Sequence, residues 1–167
     1  NQDLTSWDVS GVQNMSNLFN RCSSFNGDIS NWDVSGITNM AGFFYKATAF
    51  NQDISSWDVS SVTNMGNMFA FAESFNQDIS SWNIDNVNGM NNIFYQTDGP
   101  SDEVSCAINA SWSSNPNWPY DWSDDCYTFE NKEELMTAVD LWISDSVSSA
   151  STYGNINTWN VSLITDM

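Results

Sequence analysis

Phe50-Asn51-Gln52-Asp53-Ile54-Ser55-Ser56-Trp57-Asp58-Val59-Ser60-Ser61-Val62-Thr63-Asn64-Met65-Gly66-Asn67-Met68-Phe69 decides the fold, because the residues on either side restate it. Trp7, Trp32, Trp57 and Trp82 lie 25 residues apart, as do Met15, Met40, Met65 and Met90, and Phe19, Phe44, Phe69 and Phe94. A fixed period of this size predicts a stacked solenoid, in which each unit buries its apolar face only against its neighbours.

Each copy divides into two halves. In the first, Leu4, Trp7, Val9 and Val12 (then Ile29, Trp32, Val34 and Ile37) carry an alternating Trp-x-Val pair among Ser, Asp and Thr, which predicts a short strand. In the second, Met15, Leu18, Phe19 and Cys22 fall at i, i+3, i+4 and i+7, the stripe of a two-turn amphipathic helix. Asn14, Asn39 and Asn64 precede these stripes where a side-chain carbonyl caps a first turn, and Gly89 replaces them in the fourth copy. Phe25, Phe50 and Phe75 fold back onto the core, followed by turns at Asn26-Gly27-Asp28 or Asn-Gln-Asp. Stacking sets equivalent residues ~4.8 Å apart where strands pair, so Asn1, Asn26, Asn51 and Asn76 become a ladder of amides.

The pattern fails after Phe94. Pro100 stands where Phe is due, and residues 99–127 are loop-rich and aromatic. Trp112, Trp118, Tyr120 and Trp122 read as a cover for the open end of the core, with carbohydrate binding as the alternative use of such a cluster. Cys106 and Cys126 bracket this segment and are expected to pair, closing a loop of ~20 residues worth about 3 kcal/mol. Cys22 matches Ala47, Ala72 and Thr97, so a buried thiol is expected there. Asn131-Lys132-Glu133-Glu134 resembles a capping box opening a helix over 131–147, with Leu135, Ala138, Val139 and Trp142 on one face. After a Ser-rich link, residues 156–167 repeat the spacing of 54–65. The expected organisation is a four-repeat array at 1–98, an aromatic cap with a disulfide at 99–127, a capping helix of a next array at 128–152, and the start of that array at 153–167. Both termini interrupt a repeat, so the chain reads as a piece of a longer protein in which arrays and caps alternate.

Three basic residues against 21 acidic ones give a net charge of −18, and histidine is absent. Such a surface repels polyanions, so nucleic acid is excluded as a partner. Without histidine there is no Ser-His-Asp or Cys-His arrangement and no histidine general base or metal ligand. No apolar run is long enough to span a membrane. Carboxylates remain as candidate chemistry. Asp3, Asp28, Asp53 and Asp78 form one column, and Asp8, Asp33 and Asp58 another that ends in Asn83. Two readings stand beside each other: each Asp closes an Asx turn in its own coil, or neighbouring coils share Ca²⁺, although no EF-hand or nonapeptide calcium motif is present. No cofactor is required by either reading. Asn14, Asn109 and Asn160 begin Asn-x-Ser sequons, with Asn109 the favoured glycan acceptor because it falls in the cap and Asn14 discounted as a helix cap.

The Phe-Asn-Gln-Asp-Ile-Ser-Ser-Trp-Asp-Val-Ser-Ser-Val-Thr-Asn-Met-x-x-Met-Phe repeat resembles the BspA-like leucine-rich-repeat surface proteins of bacteria and of microalgae and other protists. The likeness covers 1–95 and 153–167 closely, and 115–120 and 131–167 resemble segments that flank such arrays. It implies an α/β, leucine-rich-repeat-like solenoid, secreted or at the cell surface, with roles in adhesion, matrix or protein interaction and no shared active site. The expected function is that of a non-enzymatic extracellular structural or adhesive protein, part of a filament or surface fibre whose partners are other copies or cell-surface proteins and glycans. The alternatives are a protein- or carbohydrate-binding module, with or without Ca²⁺, and ice or mineral binding by the Ser10, Ser35 and Ser60 column, which Asp85 interrupts.

Overall fold

The computed structural model describes residues 3–98, 100–161 and 164, and for Asn157 the backbone alone. Expectations that fall on Asn1, Ser162 and Met167 lie outside the described residues. Four coils, beginning at Leu4, Ile29, Ile54 and Ile79, stack in parallel register, with bridges joining Asn14 to Asn39, Asn39 to Asn64 and Asn64 to Gly89. The phenylalanines are superposed at 5.8, 5.6 and 5.4 Å from Phe19 through Phe44 and Phe69 to Phe94. Each indole of the inner coils donates to a carbonyl of the coil before it: Trp32, Trp57 and Trp82 Nε1 bond the oxygens of Leu4, Ile29 and Ile54 at 3.0 to 3.1 Å. A polar handle on a buried aromatic is thus satisfied by the same register that stacks the rings.

The two-turn helices and short strands expected within each copy do not form. Residues 16–21 are consecutive turns, and bridges rather than strands mark the pairing. The hydrogen bonds explain why. Amides of Met15, Asn17, Phe19 and Arg21 donate across to the carbonyls of Asn39, Ala41, Phe43 and Tyr45, while those of Leu18, Asn20 and Cys22 donate three residues back. An eight-residue helix would leave most of its end groups unpaired and is unstable alone, whereas the stacked turns pair them in alternation along and across the coils. The turns need left-handed backbone at fixed places. Asn17, Gly42, Asn67 and Asn92 have φ of 61°, 64°, 55° and 57°, and Asn and Gly tolerate this region; Arg21, Lys46, Phe71 and Gln96 take it as well, at 61°, 59°, 60° and 49°, without that preference. At Gly42 a Cβ would also come within 2.5 Å of Asn17 Oδ1.

Beyond the coils, α1 (Asp102–Trp112) lies over coil 4, and a 3-10 turn follows at Ser123–Asp125. The expected helix over 131–147 is two helices, α2 (Lys132–Ser144) and α3 (Ser146–Tyr153). Asp145 breaks it: its carboxylate accepts from the Ser148 amide and hydroxyl and so caps α3, converting the Ser-rich link into a helix. Asn131 caps α2 through the Glu134 amide, but the Glu134 carboxylate reaches back to the Glu130 amide and not to Asn131. Residue 160 bridges in parallel to Thr128, and Phe129 is packed between Tyr127, Tyr153 and Trp159.

Candidate interaction surface

The carboxylate columns resolve into closed turns. Asp3, Asp8, Asp28, Asp33, Asp53, Asp58 and Asp78 each accept the backbone amide two residues on, at 2.9 to 3.1 Å. In the first five, the Ser or Thr hydroxyl donates to the same oxygen. These bonds favour the ionised form and hold the carboxyls of Asp3, Asp8, Asp33, Asp53 and Asp58 below their ordinary range, the hydroxyl contributing most and the amide next. For Asp28 the amide contributes most. Like charges one coil away push Asp28 and Asp33 upward, but by less. Asn83 closes the same turn without a charge, accepting from the Asp85 amide at 3.0 Å. Among the described residues no three carboxylate, thiol or imidazole groups gather as a metal site. The hydroxyls of Ser10 and Ser35 are turned into these turns as well, not presented as a free column.

The sequons are also engaged. Asn109, expected in an irregular loop, lies within α1, and its side-chain oxygen accepts from Trp118 Nε1 at 3.0 Å and the Trp122 amide at 3.3 Å. Asn14 is exposed and accepts from the Ser16 amide, an Asx turn where a helix cap was expected. Asn160 holds its place by backbone pairing with Tyr127 and Phe129. In the same unit the Tyr127 hydroxyl donates to Glu134 Oε1 at 2.6 Å, and that carboxylate pushes the phenol up to about 12.

Cys106 and Cys126 form a disulfide with a Cα–Cα distance of 4.9 Å, tying α1 to the loop that follows it. That loop closes the stack by imitating a coil. The Tyr120 hydroxyl accepts the Phe94 amide, which in earlier coils donates to the next coil's backbone, and Asn115 donates to the carbonyls of Ile84 and Val87. Trp112 lies 6.3 Å from Trp82, and Trp118, Tyr120 and Trp122 pack around Phe94. Burial pushes the Tyr120 phenol up.

At the other end the described residues place nothing over coil 1. Trp7 is 55% exposed against 3 to 4% for Trp32, Trp57 and Trp82, and Val12 and Leu18 are exposed where their counterparts are buried. Cys22, expected to be buried like Ala47 and Ala72, is a free exposed thiol, since among the described residues no coil lies on its outer side. Between coils, Arg21 and Lys46 share a shallow groove with Ser23, Thr48, Phe71 and Glu73. The Lys46 ammonium sits 4.8 Å from the Phe71 ring centre. Nothing in the columns announced this groove except that two of the three cations occupy one position of the repeat.

Residues 1–106 match the family model described as "Mycoplasma protein of unknown function, DUF285". Comparison with curated proteins and with solved structures finds no match. No described helix is long and apolar enough to cross a membrane.

Proposed function

We propose that this chain, which belongs to the DUF285 family, is a non-enzymatic structural or adhesive repeat protein of the cell surface or extracellular space, of the BspA-like kind. We read its stacked coils as a leucine-rich-repeat-like solenoid at 1–98, closed by the cap at 99–127 and followed by a second opening unit at 128–167. The observation that carries this reading is the coil-to-coil junction, made three times with the same backbone and indole bonds. Surfaces built this way extend by adding equivalent units, which suits a fibre or a long contact surface. The disulfide supports an oxidising compartment. Electron microscopy of the purified chain across salt and calcium concentrations tests it: fibres or surface-bound arrays are expected, and dispersed monomers under every condition count against the fibre.

The Arg21–Lys46 groove favours a second reading, a module that binds anionic glycans, because two neighbouring cations beside an aromatic face suit a sulfated or carboxylated sugar. A glycan array separates the two: selective retention of acidic glycans, lost in Lys46→Glu, would favour it.

A further inference from the structure

The two columns of left-handed residues are chemically unlike. Asn17, Gly42, Asn67 and Asn92 suit that backbone, whereas Arg21, Lys46, Phe71 and Gln96 are long or bulky residues that ordinarily avoid it. Bonds across the coils hold them there: the Arg21 amide donates to Tyr45, and the amides of Lys46 and Phe71 to Ala70 and Tyr95 at 2.9 Å. Strained backbone kept at one position of every coil points to a use of the side chains, because Asn would serve the turn with less strain. Those side chains meet on the flank of the stack. Arg21, Lys46 and Phe71, from three successive coils, line one groove of about 480 Å³ with Ser23, Thr48 and Glu73. The Lys46 ammonium rests 4.8 Å from the Phe71 ring centre and 5.4 Å from that of Tyr45, which fixes its position without neutralising it. Among the described residues neither cation forms an ion pair. Beyond Phe71 the line continues to Tyr95, whose ring meets that of Phe71 edge-on at 5.6 Å and which is 49% exposed. Along the axis the order is charge, charge, aromatic, aromatic, one to a coil.

We infer that this flank binds a linear glycan laid along the stack, with two neighbouring acidic residues on Arg21 and Lys46 and the neutral residues that follow on Phe71 and Tyr95. This deepens the acidic-glycan reading above and rests on it. Equivalent phenylalanine rings of neighbouring coils are 5.4 to 5.8 Å apart, about the length of one pyranose residue, so successive sugars meet successive coils. Carboxylate or sulfate pairs with the guanidinium and the ammonium, and the apolar face of a sugar ring lies against an aromatic side chain. A uniformly charged chain fits less well. Glu73 opposes a third anionic residue, and the net charge of −18 repels a polyanion more strongly than a ligand with two charges.

Titration calorimetry tests this, with a chelator present so that no divalent cation bridges the ligand to the aspartates. Probes on one backbone isolate the charge pattern: digalacturonate, tetragalacturonate, the two tetramers methyl-esterified on the pair of residues at one end or the other, and the fully esterified tetramer. One half-esterified tetramer is expected to bind at least tenfold more tightly than digalacturonate or tetragalacturonate, and the fully esterified tetramer not at all. Tyr95→Ala should abolish that advantage and leave digalacturonate binding unchanged. Lys46→Asn should weaken every charged probe at least tenfold yet melt at or above the wild-type temperature, since Asn suits the left-handed backbone. Half-esterified tetramers that bind no more tightly than digalacturonate, or an advantage that survives Tyr95→Ala, overturn the axial chain and leave a groove for acidic disaccharides standing. A lower melting temperature in Lys46→Asn also overturns it, by showing that the lysine serves the fold. If no probe binds, a heparin disaccharide included, the acidic-glycan reading falls together with this inference.

Discussion

At the scale of single residues, the tryptophan column separates two contributions that are usually confounded. Trp57 and Trp112 are both buried in the ring stack, but Trp57 Nε1 donates to Ile29 at 3.1 Å while Trp112 Nε1 is buried without a partner. Replacing either with Phe removes the same volume. Trp57→Phe also loses a hydrogen bond, whereas Trp112→Phe removes an unsatisfied donor, and a buried unpaired donor costs about 1 to 3 kcal/mol. Chemical denaturation should therefore find Trp57→Phe less stable than Trp112→Phe by at least about 1 kcal/mol, and equal losses would refute the assignment. The stacked core was legible because Trp, Met and Phe recur at one period. The fate of each indole N–H was not, since it depends on which carbonyl lies one coil away. Cys22 shows the same limit: its column said small and buried, but burial in a stack requires a neighbour on both sides.

At the scale of elements, the second half of each repeat read as a helix because Met15, Leu18, Phe19 and Cys22 fit a 3.6-residue period. Consecutive turns place the equivalent residues of coil 2, Met40, Phe43, Phe44 and Ala47, inward all the same, so the apolar pattern alone does not distinguish them. The signal that does is the column Asn17, Gly42, Asn67, Asn92, poor helix formers that tolerate left-handed backbone. The break at Asp145 had a comparable sign in Asp followed three residues later by Ser148, a cap in the middle of a helical pattern. The cap depends on Asn109 in a way that the sequon obscured. Asn109→Ala should cost about 2 kcal/mol by removing two half-buried bonds, and should raise quenching of tryptophan fluorescence as Trp118 and Trp122 loosen. Asn109→Asp keeps the acceptor oxygen and should restore most of the loss. If both variants behave alike, the oxygen is not what holds the cap.

For the whole molecule, the turns and the net charge pull stability in opposite directions as pH falls. Asp3, Asp8, Asp28, Asp33, Asp53 and Asp58 have carboxyls held below the ordinary range by hydroxyl and amide donors. A depressed folded value means that the stabilisation is complete above the unfolded value of about 3.9 and is lost as pH drops through the folded values. Self-repulsion acts the other way, destabilising the folded chain at neutral pH and easing as the charge of −18 is titrated toward a pI near 4.1. Melting temperature should therefore hold or rise from pH 7 to about pH 4.5 and then fall steeply toward pH 2.5. Salt divides the two contributions, because screening relieves long-range repulsion but leaves a hydrogen bond within one turn intact. Added NaCl should raise the melting temperature at pH 7 and fail to rescue the loss at pH 2.5. Asp33→Asn with Asp58→Asn keeps the turn acceptors, as Asn83 does naturally, and should flatten the acid limb in proportion to the carboxylates removed. A melting temperature that keeps rising down to pH 2.5 would mean that repulsion outweighs the turns throughout, and that the aspartate columns serve solubility more than the coils they close.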